Sequence, residues 1–160
     1  GEGEEYEGGE VEYEDGGLEL SLVLCSDEWM RLQNKQWRGI DATTDVLSFP
    51  QDLEQQVADI ESNSEDDGAD FENTLDGTLV LGDLVISVPQ AQRQADERAH
   101  SLRNELRILM VHGILHLLGY DHELGPEEWT EMANAEKRVL GALKWSGEGL
   151  VSSSTGAAAS

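Results

Sequence analysis

His112-Gly-Ile-Leu-His116-Leu-Leu-Gly-Tyr-Asp-His122 gathers three of the chain's four histidines into eleven residues. On a helix, His112 and His116 share one face about a turn apart. Gly119 suits the position after a helix end, where a left-handed backbone is favoured. The chain can then swing His122 back as a third imidazole. Three neutral imidazoles leave one tetrahedral position for water or substrate, the open arrangement of a catalytic zinc site. The expected cofactor is therefore one Zn2+ held by His112, His116 and His122. A structural zinc would be closed by a fourth protein ligand, commonly Cys. Cys25 is the single cysteine and lies far away in sequence, which leaves its place in space open.

Outward from this stretch, helical and extended patterns alternate. Ser101 opens a helix whose Leu102, Leu106, Leu109, Met110, Gly113 and Leu117 follow helical spacing toward Gly119. Pro89 suits the first turn of a preceding helix that reaches about Ala99. Before it, Leu79–Val88 is an apolar run interrupted by Gly82 and Asp83, which reads as a buried strand with Asp83 as a bulge residue. Thr44–Phe49 reads as a short strand stopped by Pro50, with Thr44 and Asp45 fixing its entry and Ser48 and Phe49 packing. Leu18–Leu24 alternates and reads as another strand. Ser26 caps a helix with Asp27 and Glu28 in its first turn and an end before Gly39. Pro126 opens a last helix with Met132, Ala135, Val139, Leu140 and Leu143 on one face. The expected class is α/β (α+β): a small mixed sheet packed with helices, a zincin-like metalloprotein.

The 160 residues suffice for one domain with a sizeable core. Hydrophobic residues make up 38%, low enough that part of the chain is expected to stay unpacked. The formal net charge is −24, but residues 1–15 hold eight acids and residues 51–77 hold ten, neither with any Lys or Arg. Without these eighteen, sixteen acids face all ten bases, about −6. We therefore expect a disordered acidic tail at 1–17, a domain at 18–146 with an acidic loop inserted at 51–77, and a flexible tail or linker at 147–160. With a lone cysteine no disulfide can form within the chain, which fits a reducing compartment. No run of about 18 apolar residues is present to span a membrane. The first residue is Gly rather than Met, which reads as a piece of a longer product whose targeting segment has been removed.

The histidine spacing equals that of the metzincin peptidases, whose first His is followed by a general-base Glu. Here that position is Gly113, so peptide hydrolysis loses its proton acceptor while metal binding remains. Asp121 can orient an imidazole, accept a proton, or stabilise an Asx-type turn. His100 can contact substrate or cap a helix junction. Arg103 and Arg107, four apart, can track a phosphate backbone or pair with neighbouring acids. A basic groove would draw on Arg31, Lys35, Arg38, Arg93, Arg98, Arg103 and Arg107. Clustered, they make binding of nucleic acid salt-sensitive; scattered, they leave delivery of the substrate to a partner.

The histidine stretch closely resembles the signature of the YbeY family. Asn34-Lys-Gln-Trp-Arg38, Thr44-Asp-Val-Leu-Ser-Phe-Pro50, Leu81-Gly-Asp-Leu-Val-Ile-Ser87 and His100-Ser-Leu-Arg-Asn-Glu105 resemble further blocks of that family in the same order. The resemblance spans roughly Leu18 to Leu143. It implies a zinc-dependent single-strand endoribonuclease of ribosomal RNA maturation. His112, His116 and His122 carry over as zinc ligands, and Arg38 as a basic residue facing the site in catalysis and substrate binding. Asp121 is a further catalytic candidate, and His100 and Arg103 further substrate contacts. Gly82–Ser87, Glu105–Met110 and Leu143–Leu150 are similar to the plant and algal plastid branch, which is often fused to a C-terminal hydrolase domain. The implied partners are single-stranded and ribosomal RNA and the ribosome or its proteins. The implied place is the plastid stroma, or a bacterial-type cytoplasm outside an organelle. Two other readings stand beside this one: a metal-stabilised ribosome-assembly factor without turnover, and a metallopeptidase.

Overall fold

The computed structural model describes residues 17–63, 78–145 and 147–154. The expectation of a disordered 1–17 tail falls, apart from Gly17, outside them. The elements run β1 (Leu18–Cys25), α1 (Asp27–Arg38), β2 (Val46–Pro50), α2 (Leu53–Asn63), β3 (Leu79–Ser87), α3 (Val88–Glu97), α4 (Leu102–Leu117), α5 (Pro126–Ala142) and α6 (Leu150–Ser154). β3 is central, parallel to β1 on one side and antiparallel to β2 on the other. A strand covered on both faces reads as a continuous apolar run, and Leu84 and Ile86 of β3 are fully buried.

The register along β1 and β3 slips once. Glu19 pairs with Val80 and Leu20 with Gly82, so Leu81 is the extra residue of the bulge, not Asp83 as the sequence suggested. Gly82 takes φ 136°, and a Cβ there would lie 2.1 Å from the Phe49 carbonyl oxygen of β2. Only glycine lets the two strands meet at that point.

The helix starts are set by side chains. Ser26, Ser87 and Ser101 accept from the backbone N–H of Trp29, Gln90 and Asn104, satisfying amides that the first helical turn leaves without partners. Gly39 ends α1 in a left-handed conformation. α4 lies across β2 and β3, and its other side meets α5 and α6. The core there joins Ile108, Val111 and Leu115 of α4 with Met132, Ala135 and Leu140 of α5 and Val151 of α6.

Two expectations are corrected. The 51–77 segment is not simply a loop, because Leu53–Asn63 is helical. Leu53, Val57 and Ile60 recur at helical intervals, a signal masked by the surrounding acids. The Gln56 amide joins α2 to β3, accepting from Val80 N–H at 2.8 Å and donating to Val80 O at 3.0 Å. Residues 147–154 are not a free tail either. Trp145 Nε1 donates to Glu148 O, and Val151 of α6 is 1% exposed. Replacing Val151 by Ala removes buried methyl groups and should cost about 1–2 kcal/mol. The measurement is the midpoint of denaturant unfolding, and an unchanged midpoint would show that α6 adds nothing to the core.

Candidate metal centre and its cavity

α4 presents His112 and His116 one turn apart, as the spacing requires. His112 is buried, and the two Nε2 atoms lie 3.1 Å from each other. Past the helix end, Gly119 adopts φ 93°, and the chain turns back to deliver His122. The ring centroids are 4.7 Å (His112–His116), 5.2 Å (His112–His122) and 5.3 Å (His116–His122) apart. One nitrogen from each residue falls within 4.8 Å of the others, so the group can hold a metal ion. Burial, and then the neighbouring His112 and His122, push the His116 imidazole below its ordinary pKa, against the opposing pull of Asp121. His116 therefore favours the neutral form that coordinates a cation.

Sequence reasoning missed Glu136. Its carboxylate is 1% exposed, and Oε1 lies 2.8 Å from His112 Nδ1. Oε2 accepts the Val151 N–H at 3.0 Å. With the carboxylate ionised, His112 carries its proton on Nδ1 and turns the Nε2 lone pair toward the other imidazoles. A signal was present: Glu136 is four residues after Met132 and four before Leu140. An acid on the apolar stripe of a helix needs a buried partner.

The trio opens into a cavity of about 810 Å³ that Arg38, Thr44, Asp45, Ser48, Arg98 and Asp121 also line. Arg38 is the last residue of α1, exposed, and forms no ion pair among the described residues. The other candidate bases scatter. Arg31 and Lys35 both bind Asp41, which they hold down at a pKa of about 2. Arg93 binds Asp27, Arg107 reaches Asn104, and exposed Arg103 does not line the cavity. Arg98 lines the cavity while its Nη1 donates to buried Glu105 at 2.9 Å. His100 does not line it: Nε2 lies 2.5 Å from Glu105 Oε2, and the ring stands edge-on to Trp145. His100 thus fastens the junction between α3 and α4. Asp121 faces the cavity, and its Oδ1 accepts the Glu123 N–H at 2.9 Å, an Asx turn.

Among the described residues no fourth His, Cys, Asp or Glu joins the trio. Cys25 packs instead with Met30, Leu47 and Val85. At Gly113, where a metzincin carries its Glu, a Cβ would sit 2.6 Å from Leu84 Cδ2 of β3 and 3.3 Å from Ser48 Oγ. This position is the contact face between α4 and the sheet, so a carboxylate there could not serve the site.

A small mixed α/β fold with three convergent imidazoles and an arginine on the same cavity defines a site able to hold a metal ion. The chain belongs to the family described as Endoribonuclease YbeY, whose model matches residues 6–144. It is 42% identical to "Endoribonuclease YBEY, chloroplastic" of Arabidopsis thaliana, over 92% of this chain and 23% of that protein. Two bacterial proteins described as "Endoribonuclease YbeY" are also similar. The one from Roseiflexus castenholzii is 42% identical over 84% of this chain and 76% of its own length, and the one from Pelotomaculum thermopropionicum 46% over 78% and 72%. The chain thus spans less than a quarter of the plant relative. A solution structure from Thermotoga maritima covers 78% of this chain and 70% of its own at 25% identity, with a TM-score of 0.43, too loose a likeness to add to the assignment.

Removing Glu136 should loosen the site without touching a ligand. Glu136→Gln is expected to weaken metal affinity about 10- to 100-fold. Competition against a chromophoric chelator measures it, with circular dichroism to verify the fold. Wild-type affinity in a folded variant would refute the orienting role.

Proposed function

We propose that this chain is a zinc-dependent single-strand endoribonuclease acting in ribosomal RNA maturation. The observation that carries the reading is the convergence on one cavity of three imidazoles and Arg38, which has no ion pair among the described residues, in a chain of the YbeY family. The donor set fits zinc. Two nitrogens at tetrahedral corners roughly 2.0–2.1 Å from the ion stand about 3.3 Å apart, close to the 3.1 Å between His112 and His116 Nε2. His122 Nδ1 is buried without a hydrogen-bond partner, as suits a ring nitrogen kept for a cation. Three candidate ligands with no fourth His, Cys, Asp or Glu beside them among the described residues favour an enzyme over an assembly factor stabilised by structural zinc. The packing at Gly113 disfavours a peptidase.

His112, His116 and His122 would hold the ion, which when bound supplies Lewis acidity toward a phosphoryl oxygen and a water molecule. Glu136 holds His112 in the required tautomer. Arg38 offers paired N–H donors to the non-bridging oxygens, where charge grows as the phosphodiester is cleaved. Asp121 keeps Oδ2 without a hydrogen bond among the described residues, which suits a proton acceptor at the cavity wall. The scatter of the other bases favours delivery of the RNA by a partner such as the ribosome. A plastid setting is supported by the "chloroplastic" description of the Arabidopsis relative.

Purified, metal-loaded protein should cleave single-stranded RNA and stop on addition of chelator. His116→Ala should abolish the activity, and Arg38→Ala should lower kcat by about 10²- to 10³-fold. Cleavage by His116→Ala at the wild-type rate, followed as shortening of a labelled oligonucleotide, would sink the proposal.

A further inference from the structure

We propose that the Trp37 indole is a stacking platform for one unpaired nucleobase at the mouth of the three-histidine cavity. This rests on the single-stranded RNA reading above and names a subsite within it. Trp37 is 61% exposed, against 40% for Trp29, while Trp129 and Trp145 are half-buried. An exposed apolar side chain alone needs no explanation, but this one is also fixed in place. Its ring meets Phe49 edge-on, with centroids 5.6 Å apart and planes at 64°. Nε1 donates to Gln33 Oε1 at 3.1 Å. The indole is thus held before anything binds, so little further side-chain freedom is lost on contact.

Its position ties it to the site. Arg38 follows it directly and lines the cavity, as does most of β2, the strand that carries Phe49, while the rings of Trp37 and Phe49 themselves lie outside that lining. Adjacency along α1 would let the phosphate of a base on Trp37 meet Arg38, which has no ion pair among the described residues, whereas Arg31 and Lys35 on the same helix are held by Asp41. Unpaired RNA is recognised by stacking on aromatic faces, and every base has such a face. The scatter of the bases, most of them already paired with acids, leaves little general attraction for a polyanion. A contact that does not depend on phosphate charge is what such a surface needs.

The test compares the metal-loaded full chain with Trp37→Ala and Trp37→Phe in steady-state cleavage of a labelled single-stranded RNA. An abasic sugar-phosphate oligonucleotide of the same length serves as competitor. Base stacking is worth about 1–3 kcal/mol, so KM should rise roughly 5- to 150-fold in Trp37→Ala. Trp37→Phe should recover most of the loss, and the abasic competitor should inhibit wild type and Trp37→Ala equally. Wild-type KM in Trp37→Ala, or an equal loss of affinity for the abasic competitor, would overturn the platform and leave the nuclease standing. A wild-type protein that cleaves no RNA would overturn both.

Discussion

The hydrogen bond between Glu136 and His112 is the contact on which the rest of the site depends. A carboxylate taken out of water is costly unless its oxygens find donors. Glu136 finds them on two different elements: the ring N–H of His112 on α4 and the backbone N–H of Val151 on α6. One buried acid on α5 therefore ties three helices together and sets the tautomer of a candidate metal ligand. A cation held among the imidazoles would place positive charge one ring away from that carboxylate, so metal binding and core stability would be linked through the same atoms. The last short helix matters for this reason: without α6, Oε2 would lose its partner inside the core.

The second constraint is how closely α4 approaches the sheet. Gly113 brings the helix backbone against Leu84 and Ser48, and Ser48 Oγ lies within 3.4 Å of the Gly113 carbonyl oxygen as its donor. Gly82 lets β2 close on β3. With α4 at this depth, the start of β2 and the end of α1 form the opposite wall of the cavity, which brings Arg38 to the same opening as the histidines. The motif supplies the three imidazoles, but the residue types at 82 and 113 decide what faces them.

Legibility in the sequence followed the range of the interaction. The histidine trio was readable because a helix turn and one glycine bring its members together over eleven residues. Ser26, Ser101, Pro89 and Gly39 act within a turn of their own positions, and each sits where expected. Glu136 was not read, because its partner lies 24 residues away and a charged residue on an apolar stripe looks like an edge position. α2 and α6 were missed because composition outweighed spacing: acids surround Leu53, Val57 and Ile60, and small residues surround Leu150 and Val151. Asp121 was left among three roles. Its Asx turn accounts for one oxygen, and its place on the cavity wall leaves the catalytic role to experiment. His100 looked equally versatile until Glu105, five residues on, proved buried and in need of both His100 and Arg98.

Charge explains why such a site relies on contacts at short range. At physiological ionic strength, interactions between exposed charges fade over about 8 Å, so acids beyond that distance neither help nor hinder a phosphate in the cavity. Among the described residues, Arg31, Lys35, Arg93 and Arg98, four of the seven bases that could have formed a basic track, are already engaged by Asp41, Asp27 and Glu105. A surface of this kind cannot hold a polyanion by releasing many counterions, and its affinity should vary only shallowly with salt. Under the proposed function, what would remain for RNA is an ion held by the three imidazoles, Arg38, and the Trp37 face. These contacts discriminate by geometry rather than by charge, and unpaired strands can meet that geometry where a stacked duplex cannot.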